Sequence, residues 1–286
     1  MTDTLIISTY QKVFVWTPDE TRIISTDGPP FFGLTWDYWQ RLYVGARCMG
    51  RSGEDALLVF DKNFEFKEKH WLSGISQSHQ MIYWNGGIYI TDTAHCRICR
   101  WDTVSHEIET VHCPREKNPT KQCHLNSLWW DGDLFYVGDL FGKVNIFTRD
   151  WRSVESLNFD FQLHNIYVED GKLIVCASDE QGVYLYDLAT DEGEHIDVQQ
   201  YIGVMQDKGD FWQAYTRGIA RSKDYFYIGC AAVKTQTQER QEGPSAIAVF
   251  DNDWQFVQRI TLPDTGGFHD IRILGEDRAH NGIVWK

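Results

Sequence analysis

The sequence predicts an all-β protein, a six-bladed β-propeller that forms a single domain over residues 1–286. Three observations predict it. A strand–turn–strand phrase recurs six times at intervals of 40 to 53 residues, a second apolar phrase follows each full copy, and no stretch shows helical periodicity. About four strands in each repeat of this length are typical of the blades of a propeller.

The first phrase combines a strand, a polar turn and a second strand that ends in a small residue or Asp. Its turns read NGG, DGD and EDGK between alternating β-forming residues, which is the pattern of β-hairpins. The phrase predicts the two inner strands of each blade. Its copies begin at Gly33, His79, His124, His164, Arg217 and His269.

The second phrase is an apolar strand that ends in an aromatic residue, often followed by Asp, and one further strand comes after it. Its six copies lie at residues 56–61, 97–102, 143–148, 182–187, 246–251 and 12–17. The copy of the second phrase at 12–17 comes before all copies of the first phrase. The final copy of the first phrase, at His269, is not followed by a copy of the second phrase. We therefore expect N-terminal strands within residues 5–25 to complete the C-terminal blade, which leaves no open sheet edge.

Three insertions interrupt the repeat, at residues 113–122, 201–215 and 232–245. Long loops on a rigid scaffold commonly carry function, and they are also the places where surface insertions are tolerated. Both interpretations stay open from the sequence.

Composition and charge limit the partners of the chain. The formal net charge is -14 and no Lys/Arg cluster occurs, which argues against nucleic acids and anionic membrane surfaces. The start of the chain lacks a signal-peptide pattern, and no apolar run is long enough to span a bilayer. We expect a cytoplasmic protein, a monomer or weak oligomer, that acts on a small molecule.

The seven cysteines are scattered through predicted strands and loops. An odd number without a secretion signal favours reduced thiols over a disulfide framework. Cys96 and Cys99 form a CxxC pair, but no second pair accompanies them, so the spacing alone does not indicate a zinc site.

The repeated phrase x-G-I-x-x-x-x-G-x-I-Y-I-x-D resembles the superfamily of six-bladed propellers that includes gluconolactonase- and regucalcin-like lactonases, strictosidine synthase-like proteins and NHL-repeat proteins. A narrower likeness is to uncharacterised bacterial propeller proteins, and it rests on SHQMIYWNGGIYITD at 78–92, CHLNSLWW at 123–130, TRGIARSKDYFYIG at 216–229 and AIAVFD at 246–251. The lactonase-like relatives hold a divalent metal with acidic and amide residues at the starts of the innermost strands. This sequence departs from that pattern.

Four of the six first phrases begin with histidine, at His79, His124, His164 and His269, and His124 needs a one-residue shift in its repeat. Equivalent points on innermost strands line the central channel, so four imidazoles there predict a metal site. Nitrogen ligands favour a divalent transition metal, iron first and zinc second, and the resemblance to propeller enzymes with histidine-bound zinc or iron implies the same. Two alternatives stay open: histidines that hydrogen-bond a neighbouring blade without a metal, and repeats that are misaligned.

Arg217 and Tyr215 are the candidate catalytic residues. Arg217 takes the fifth histidine-equivalent position, where a guanidinium can bind a carboxylate, sulfate or phosphate, or can pair with an aspartate such as Asp270. Tyr215 is a candidate general base or pocket wall, or a packing residue, and Trp212 lies in the same insertion. Gly33 takes the remaining position and could leave room for a substrate.

Asn126, Asn165 and Asp270 lie close in sequence to the candidate ligands, where they could orient imidazoles or point into a blade. The constellation predicts a metal-dependent enzyme of oxygenase or lyase type that acts on a small anionic molecule. One alternative is a metal-free transferase that uses a channel histidine as nucleophile with Arg217, as in arylsulfotransferase propellers. The other is a non-catalytic propeller that presents loops to another protein.

Overall fold

The computed structural model describes residues 3–26, 30–47, 53–114, 123–202, 213–233, 243–262 and 265–274. Most of each predicted insertion, and Trp212 with them, lies outside the described residues. The described part of the chain is almost entirely β-structure, with one short helix, α1, at Gln199–Ile202. No helix among the described residues is long and apolar enough to cross a membrane.

The strands follow the predicted repeat. The first three are β1 (Leu5–Thr9), β2 (Val13–Trp16) and β3 (Thr21–Ser25). The next twelve are β4 (Phe31–Trp36), β5 (Leu42–Arg47), β6 (Asp55–Phe60), β7 (Phe66–Leu72), β8 (Ser78–Trp84), β9 (Gly87–Asp92), β10 (Arg97–Asp102), β11 (Ile108–His112), β12 (Leu125–Trp130), β13 (Leu134–Asp139), β14 (Lys143–Thr148) and β15 (Ser153–Asn158). The last nine are β16 (Leu163–Glu169), β17 (Lys172–Ala177), β18 (Gly182–Asp187), β19 (Glu192–Asp197), β20 (Gln213–Arg221), β21 (Tyr225–Val233), β22 (Ser245–Asp251), β23 (Phe256–Leu262) and β24 (Phe268–Ile273).

These strands form six four-stranded antiparallel sheets, one for each blade. Five sheets use consecutive strands, and the sixth has the order β24-β1-β2-β3. In that sheet the C-terminal strand pairs with the N-terminal one, for example Ile271 opposite Ile7. The predicted fold class and the closure by both chain ends are therefore confirmed.

Two compact units emerge from the contacts within the chain. The terminal unit comprises the described residues within Met1–Thr26 and Phe161–Asp277, and the central unit those within Asp27–Asp160. Each unit holds three complete sheets. The prediction of one domain over residues 1–286 stays a prediction.

Burial falls from the inner to the outer strand of a blade. Every described side chain of the inner strands β4 and β12 is buried, whereas the outer strands β7, β15 and β19 are mostly exposed. The inner strands are mainly apolar because both of their faces pack, whereas the outer strands carry charged residues toward solvent. The core therefore runs through the inner strands, and it positions the ends of those strands.

A β-bulge interrupts each innermost strand near its start. The irregularities follow the pairs Phe31–Ala46, Ser78–Asp92, Leu125–Asp139, Thr216–Cys230 and Phe268–Thr9, and one comes after His164 in β16. A bulge places an extra residue in one strand and redirects the neighbouring side chain. In β16 the pair Leu163–Ala177 matches Ser78–Asp92, because in both strands the next two residues lie opposite a single residue of the partner strand. The residues that follow these matching pairs occupy equivalent positions, which are Phe32, His79, Asn126, His164, Arg217 and His269.

Candidate functional site

In the terminal unit, the bulges of β16 and β20 bring His164 and Arg217 together. The guanidinium Nη2 of Arg217 lies 3.0 Å from Nε2 of His164. On the other side of the imidazole, Nδ1 lies 2.9 Å from the hydroxyl of Ser178, and that hydroxyl donates to the carbonyl of Thr216 at 2.7 Å. His164 is buried, whereas Arg217 is half-exposed, so the guanidinium is the accessible end of this chain of contacts.

The hydrogen bonds fix which nitrogen of His164 carries the proton. Because the Ser178 hydroxyl donates its hydrogen to the carbonyl of Thr216, its oxygen accepts a hydrogen bond from Nδ1–H of His164. Nε2 then holds a lone pair, which accepts from Arg217, a side chain that only donates. The imidazole is thus neutral, and it serves Arg217 as a hydrogen-bond acceptor.

Tyr215 forms one wall beside this pair. Its ring lies 5.2 Å from the guanidinium carbon of Arg217 and 5.3 Å from the ring of His164. Its hydroxyl donates to the side-chain oxygen of the exposed Gln162 at 2.9 Å. Tyr215 also packs against the apolar core of the unit. It is therefore both a wall beside Arg217 and a packing residue.

The carboxylate of Asp270 contacts two buried side chains, those of Arg272 and Asn165. Its carboxylate pairs with the fully buried Arg272 at 3.4 Å, and the amide of Asn165 donates to it at 3.3 Å. Both Asp270 and Asn165 are buried. These side chains form a polar layer beneath the bulges, and the remaining candidate His269 packs beside Tyr10 with ring centroids 6.1 Å apart.

The central unit repeats the histidine–hydroxyl arrangement. Nδ1 of His79 lies 3.0 Å from the hydroxyl of Thr93 and 2.9 Å from the carbonyl oxygen of Gln77. Thr93 donates in turn to the carbonyl of Leu125 on the next blade. The same logic as for His164 makes Nδ1 of His79 the protonated nitrogen. Both histidines therefore bond to a hydroxyl that links neighbouring blades.

The alignment of His124 with the other histidines is wrong. Leu125 pairs with Asp139 as Ser78 pairs with Asp92, so Asn126 is the counterpart of His79. The hydrogen bonds between blades give the same alignment. The Thr93 hydroxyl donates to the carbonyl of Leu125 and the Ser178 hydroxyl to that of Thr216, so the residues that follow these carbonyls are counterparts, namely Asn126 and Arg217. His124 precedes β12, and its ring still lies near that of His79, with centroids 5.6 Å apart.

Gly33 does not leave room for a substrate. A Cβ atom at this residue would lie 2.4 Å from the carbonyl oxygen of His79 and 2.8 Å from the amide nitrogen of Met81. The glycine is required because the next blade approaches its backbone closely. Phe32 takes the histidine-equivalent position instead, with its ring 5.0 Å from His79 and 4.2 Å from the guanidinium carbon of Arg47.

The expectation of reduced thiols is wrong for two of the seven cysteines. Cys96 and Cys123 form a disulfide with their Cα atoms 5.8 Å apart. The turn before β10 places Cys96, with φ of 54°, opposite the start of the neighbouring blade. The bond therefore anchors the residue that precedes His124. In the terminal unit, burial raises the pKa of the thiols of Cys176 and Cys230, which makes them poor nucleophiles.

A single metal centre with four histidine ligands does not fit this donor geometry. Nε2 of His164 accepts a hydrogen bond from a guanidinium, and a cation bound there would face that positive charge. Asn126 replaces His124 at the equivalent position. Within the described ranges no group of three or more His, Cys, Asp or Glu residues lies close enough together to hold a metal ion. The metal site stays a prediction.

Sequence reasoning missed Ser178 and Thr93, whose hydroxyls fix the two histidines. A signal was available, since each hydroxyl follows its histidine by 14 residues. Gln162 gave no comparable signal, because its contact with Tyr215 joins residues 53 positions apart.

Comparisons with solved structures agree with the fold. A Bacteroides caccae protein of unknown function matches with 10% identity and a TM-score of 0.66, over 96% of this chain and 100% of that one. A chain of a nidogen/laminin complex matches with 11% identity and a TM-score of 0.69, over 95% and 98%. A Lactobacillus plantarum protein matches with 10% identity and a TM-score of 0.60, over 96% and 100%.

These likenesses define the class of the protein, a six-bladed β-propeller, and identities this low show the fold alone. Two of the neighbours are bacterial proteins, one of them of unknown function. No family model and no curated protein matches the chain, so the lactonase-like and NHL-like families are not confirmed.

Proposed function

We propose that the protein binds a small anionic molecule at Arg217 in the terminal unit. One observation carries this proposal: the half-exposed guanidinium of Arg217 is held by a neutral acceptor, Nε2 of His164, and flanked by the ring of Tyr215. A fixed guanidinium has its donor fork oriented before the ligand arrives, which lowers the entropic cost of binding a carboxylate, sulfate or phosphate. Tyr215 and Gln162 supply further hydrogen-bonding groups beside it.

Titration calorimetry with acetate, succinate, sulfate and phosphate tests this site. The variant R217Q removes the charge, and R217K keeps the charge but loses the planar fork. We expect both variants to weaken binding, with R217Q about 10- to 100-fold weaker, because hydrogen bonds to charged groups contribute about 1.5–3 kcal/mol.

Arg221 supplies the matched control. It lies on the same strand β20 and pairs with Glu169 at 2.8 Å. The variant R221Q should bind the anion like the parent protein. Equal affinities of R217Q and the parent, or no binding of any of the four anions, would contradict the proposal.

A group-transfer reaction is a second candidate, favoured by the protonation state of His164. Its unprotonated Nε2 lies 3.0 Å from Nη2 of Arg217, so an anionic ester held by the guanidinium would lie next to a nucleophilic nitrogen. Attack by Nε2 would form a nitrogen–phosphorus or nitrogen–sulfur bond while the ester P–O or S–O bond breaks, and the aryl group would leave as its phenolate, which needs no proton. Mass spectrometry of protein incubated with aryl phosphate or aryl sulfate esters should find an acid-labile adduct on His164. An unmodified histidine after turnover of the ester would count against this reaction.

The metal-dependent oxygenase or lyase predicted from the histidine pattern is tested separately by elemental analysis. About one equivalent of iron or zinc in protein purified without a histidine tag, lost in both H79A and H164A, would support it. A metal content that is unchanged in both variants would refute that assignment of ligands.

A further inference from the structure

A groove on the central unit has no role in the proposed anion site. It encloses about 480 Å³, within the range of about 300–1000 Å³ that is typical of small-molecule sites. Its walls come from the hairpin turns that connect the strands of two neighbouring blades, far along each strand from the bulges. The lining residues are Trp84, Trp130, Gly132, Asp133, Thr148, Arg149, Asp150 and Arg152.

One wall is aromatic and rigid. The rings of Trp84 and Trp130 lie 4.9 Å apart. Behind them, Phe135 lies 5.3 Å from Trp84 and 4.4 Å from Trp130, and Tyr89 lies 5.6 Å from Trp84. Trp84 is half-buried, so part of its ring is accessible. A tryptophan already fixed by its neighbours loses little conformational entropy when a ligand packs on it.

The opposite wall is polar, and its charges balance. Asp133 and Asp150 supply two carboxylates, and Arg149 and Arg152 supply two guanidinium groups. Arg152 pairs with Asp150 at 2.7 Å. These side chains are exposed, so they can exchange water for the hydroxyl groups of a ligand.

The turn that carries Asp133 is held by another residue. The carboxylate of Asp131 accepts from the backbone amides of Asp133 and Leu134 at 2.8 and 2.9 Å, and from the hydroxyl of Tyr136 at 2.8 Å. The side chain of Asp133 is therefore not needed to close the turn, and it lines the groove instead.

We propose that this groove binds a neutral saccharide. A sugar ring has an apolar C–H face that packs on an indole and a rim of hydroxyls that pair with carboxylates and guanidinium groups, which are the two kinds of wall present here. The balanced charges of the groove give no net attraction to an ion, and the net charge of -14 disfavours polyanions.

Aromatic side chains on the neighbouring blade favour an oligosaccharide over a single sugar. The turn between β4 and β5 carries Tyr38 and Trp39, which are 39% and 64% exposed. The ring of Tyr38 lies 5.0 Å from that of Tyr83, the residue before Trp84. The corresponding turns of adjacent blades thus present accessible rings on the same side of the central unit, where further sugar rings can pack.

A glycan array that includes neutral and acidic oligosaccharides identifies the ligand, and titration of tryptophan fluorescence measures its affinity. We expect neutral oligosaccharides to bind and W84A and D133N each to weaken binding about tenfold or more, because W84A removes the accessible ring of the aromatic wall and D133N removes one carboxylate charge of the polar wall. W39A should weaken long oligosaccharides and leave a monosaccharide unaffected.

Trp71 gives the control, because it is an exposed tryptophan on β7 in the same unit but outside the groove. The variant W71A should bind like the parent protein, and thermal unfolding confirms that W84A and D133N are folded. Preferential binding of acidic glycans, no binding of neutral glycans at millimolar concentration, or unchanged affinity in both W84A and D133N would overturn the proposal. These outcomes are independent of the anion titration, which concerns a different unit and a different ligand.

Discussion

The hydroxyl of Ser178 connects two blades and fixes His164, so its removal tests the reasoning about the site most directly. Ser178 is fully buried. Its hydroxyl accepts a hydrogen bond from Nδ1 of His164 at 2.9 Å and donates one to the carbonyl of Thr216 at 2.7 Å. The variant S178A leaves a buried N–H and a buried carbonyl without this partner. Each such group costs about 1–3 kcal/mol, so we expect a loss of about 2–6 kcal/mol in the free energy of unfolding.

For domains of about 150–250 residues, 1 kcal/mol shifts the Tm by about 2–4 °C, so S178A should unfold at a temperature about 4–24 °C lower. The matched control is S178T, which keeps the hydroxyl and introduces the residue that the central unit uses at Thr93. We expect S178T to retain more stability than S178A. Differential scanning calorimetry measures both.

Nitrogen-15 NMR of the imidazole provides the second readout. In the parent protein, His164 should be neutral and protonated at Nδ1, and S178A should lose that preference while anion affinity at Arg217 falls. A Tm of S178A within about 1 °C of the parent, or a parent imidazole protonated at Nε2, would refute the hydrogen-bond assignment.

Three further predictions concern other parts of the chain. G33A should lower the Tm, because a Cβ atom would lie 2.4 Å from the carbonyl oxygen of His79 and such overpacking costs about 1–3 kcal/mol; an unchanged Tm would contradict the close approach. C123S, or reduction of the parent protein, should lower the free energy of unfolding by about 3 kcal/mol, because the bond between Cys96 and Cys123 closes a loop with a sequence separation of 27. Calorimetry with and without reductant measures this effect, and a Tm that reductant leaves unchanged would exclude the bond. Backbone amides and a nearby guanidinium lower the pKa of Asp102 to about 2, so its stabilising effect is present above the unfolded pKa of about 4 and is lost as the pH falls toward 2. The difference in Tm between the parent protein and D102N should therefore shrink over that pH range, and a constant difference would contradict the assigned shift.

The fold was accessible from the sequence because each blade repeats a local pattern. Alternating β-forming residues around the turns at Asn85 and Asp170 predict hairpins without knowledge of any distant contact. The displaced apolar phrase at 12–17 predicted that β1 completes the sheet of β24, because an unpaired edge would otherwise remain. Equivalent positions along the repeat also pointed to His79, His164 and Arg217, which the bulges do place at corresponding points.

The sequence by itself thus determined the architecture, the closure of the propeller and the group of residues in which a site was to be sought, because all three depend on short-range patterns that repeat. Tertiary structure decided what those residues do. Only the strand register showed that Asn126 replaces His124, and only the packing of the next blade showed why residue 33 is Gly. The contact that makes His164 an acceptor for Arg217 joins residues 53 positions apart through two bulges, and no local pattern encodes the distance between such side chains.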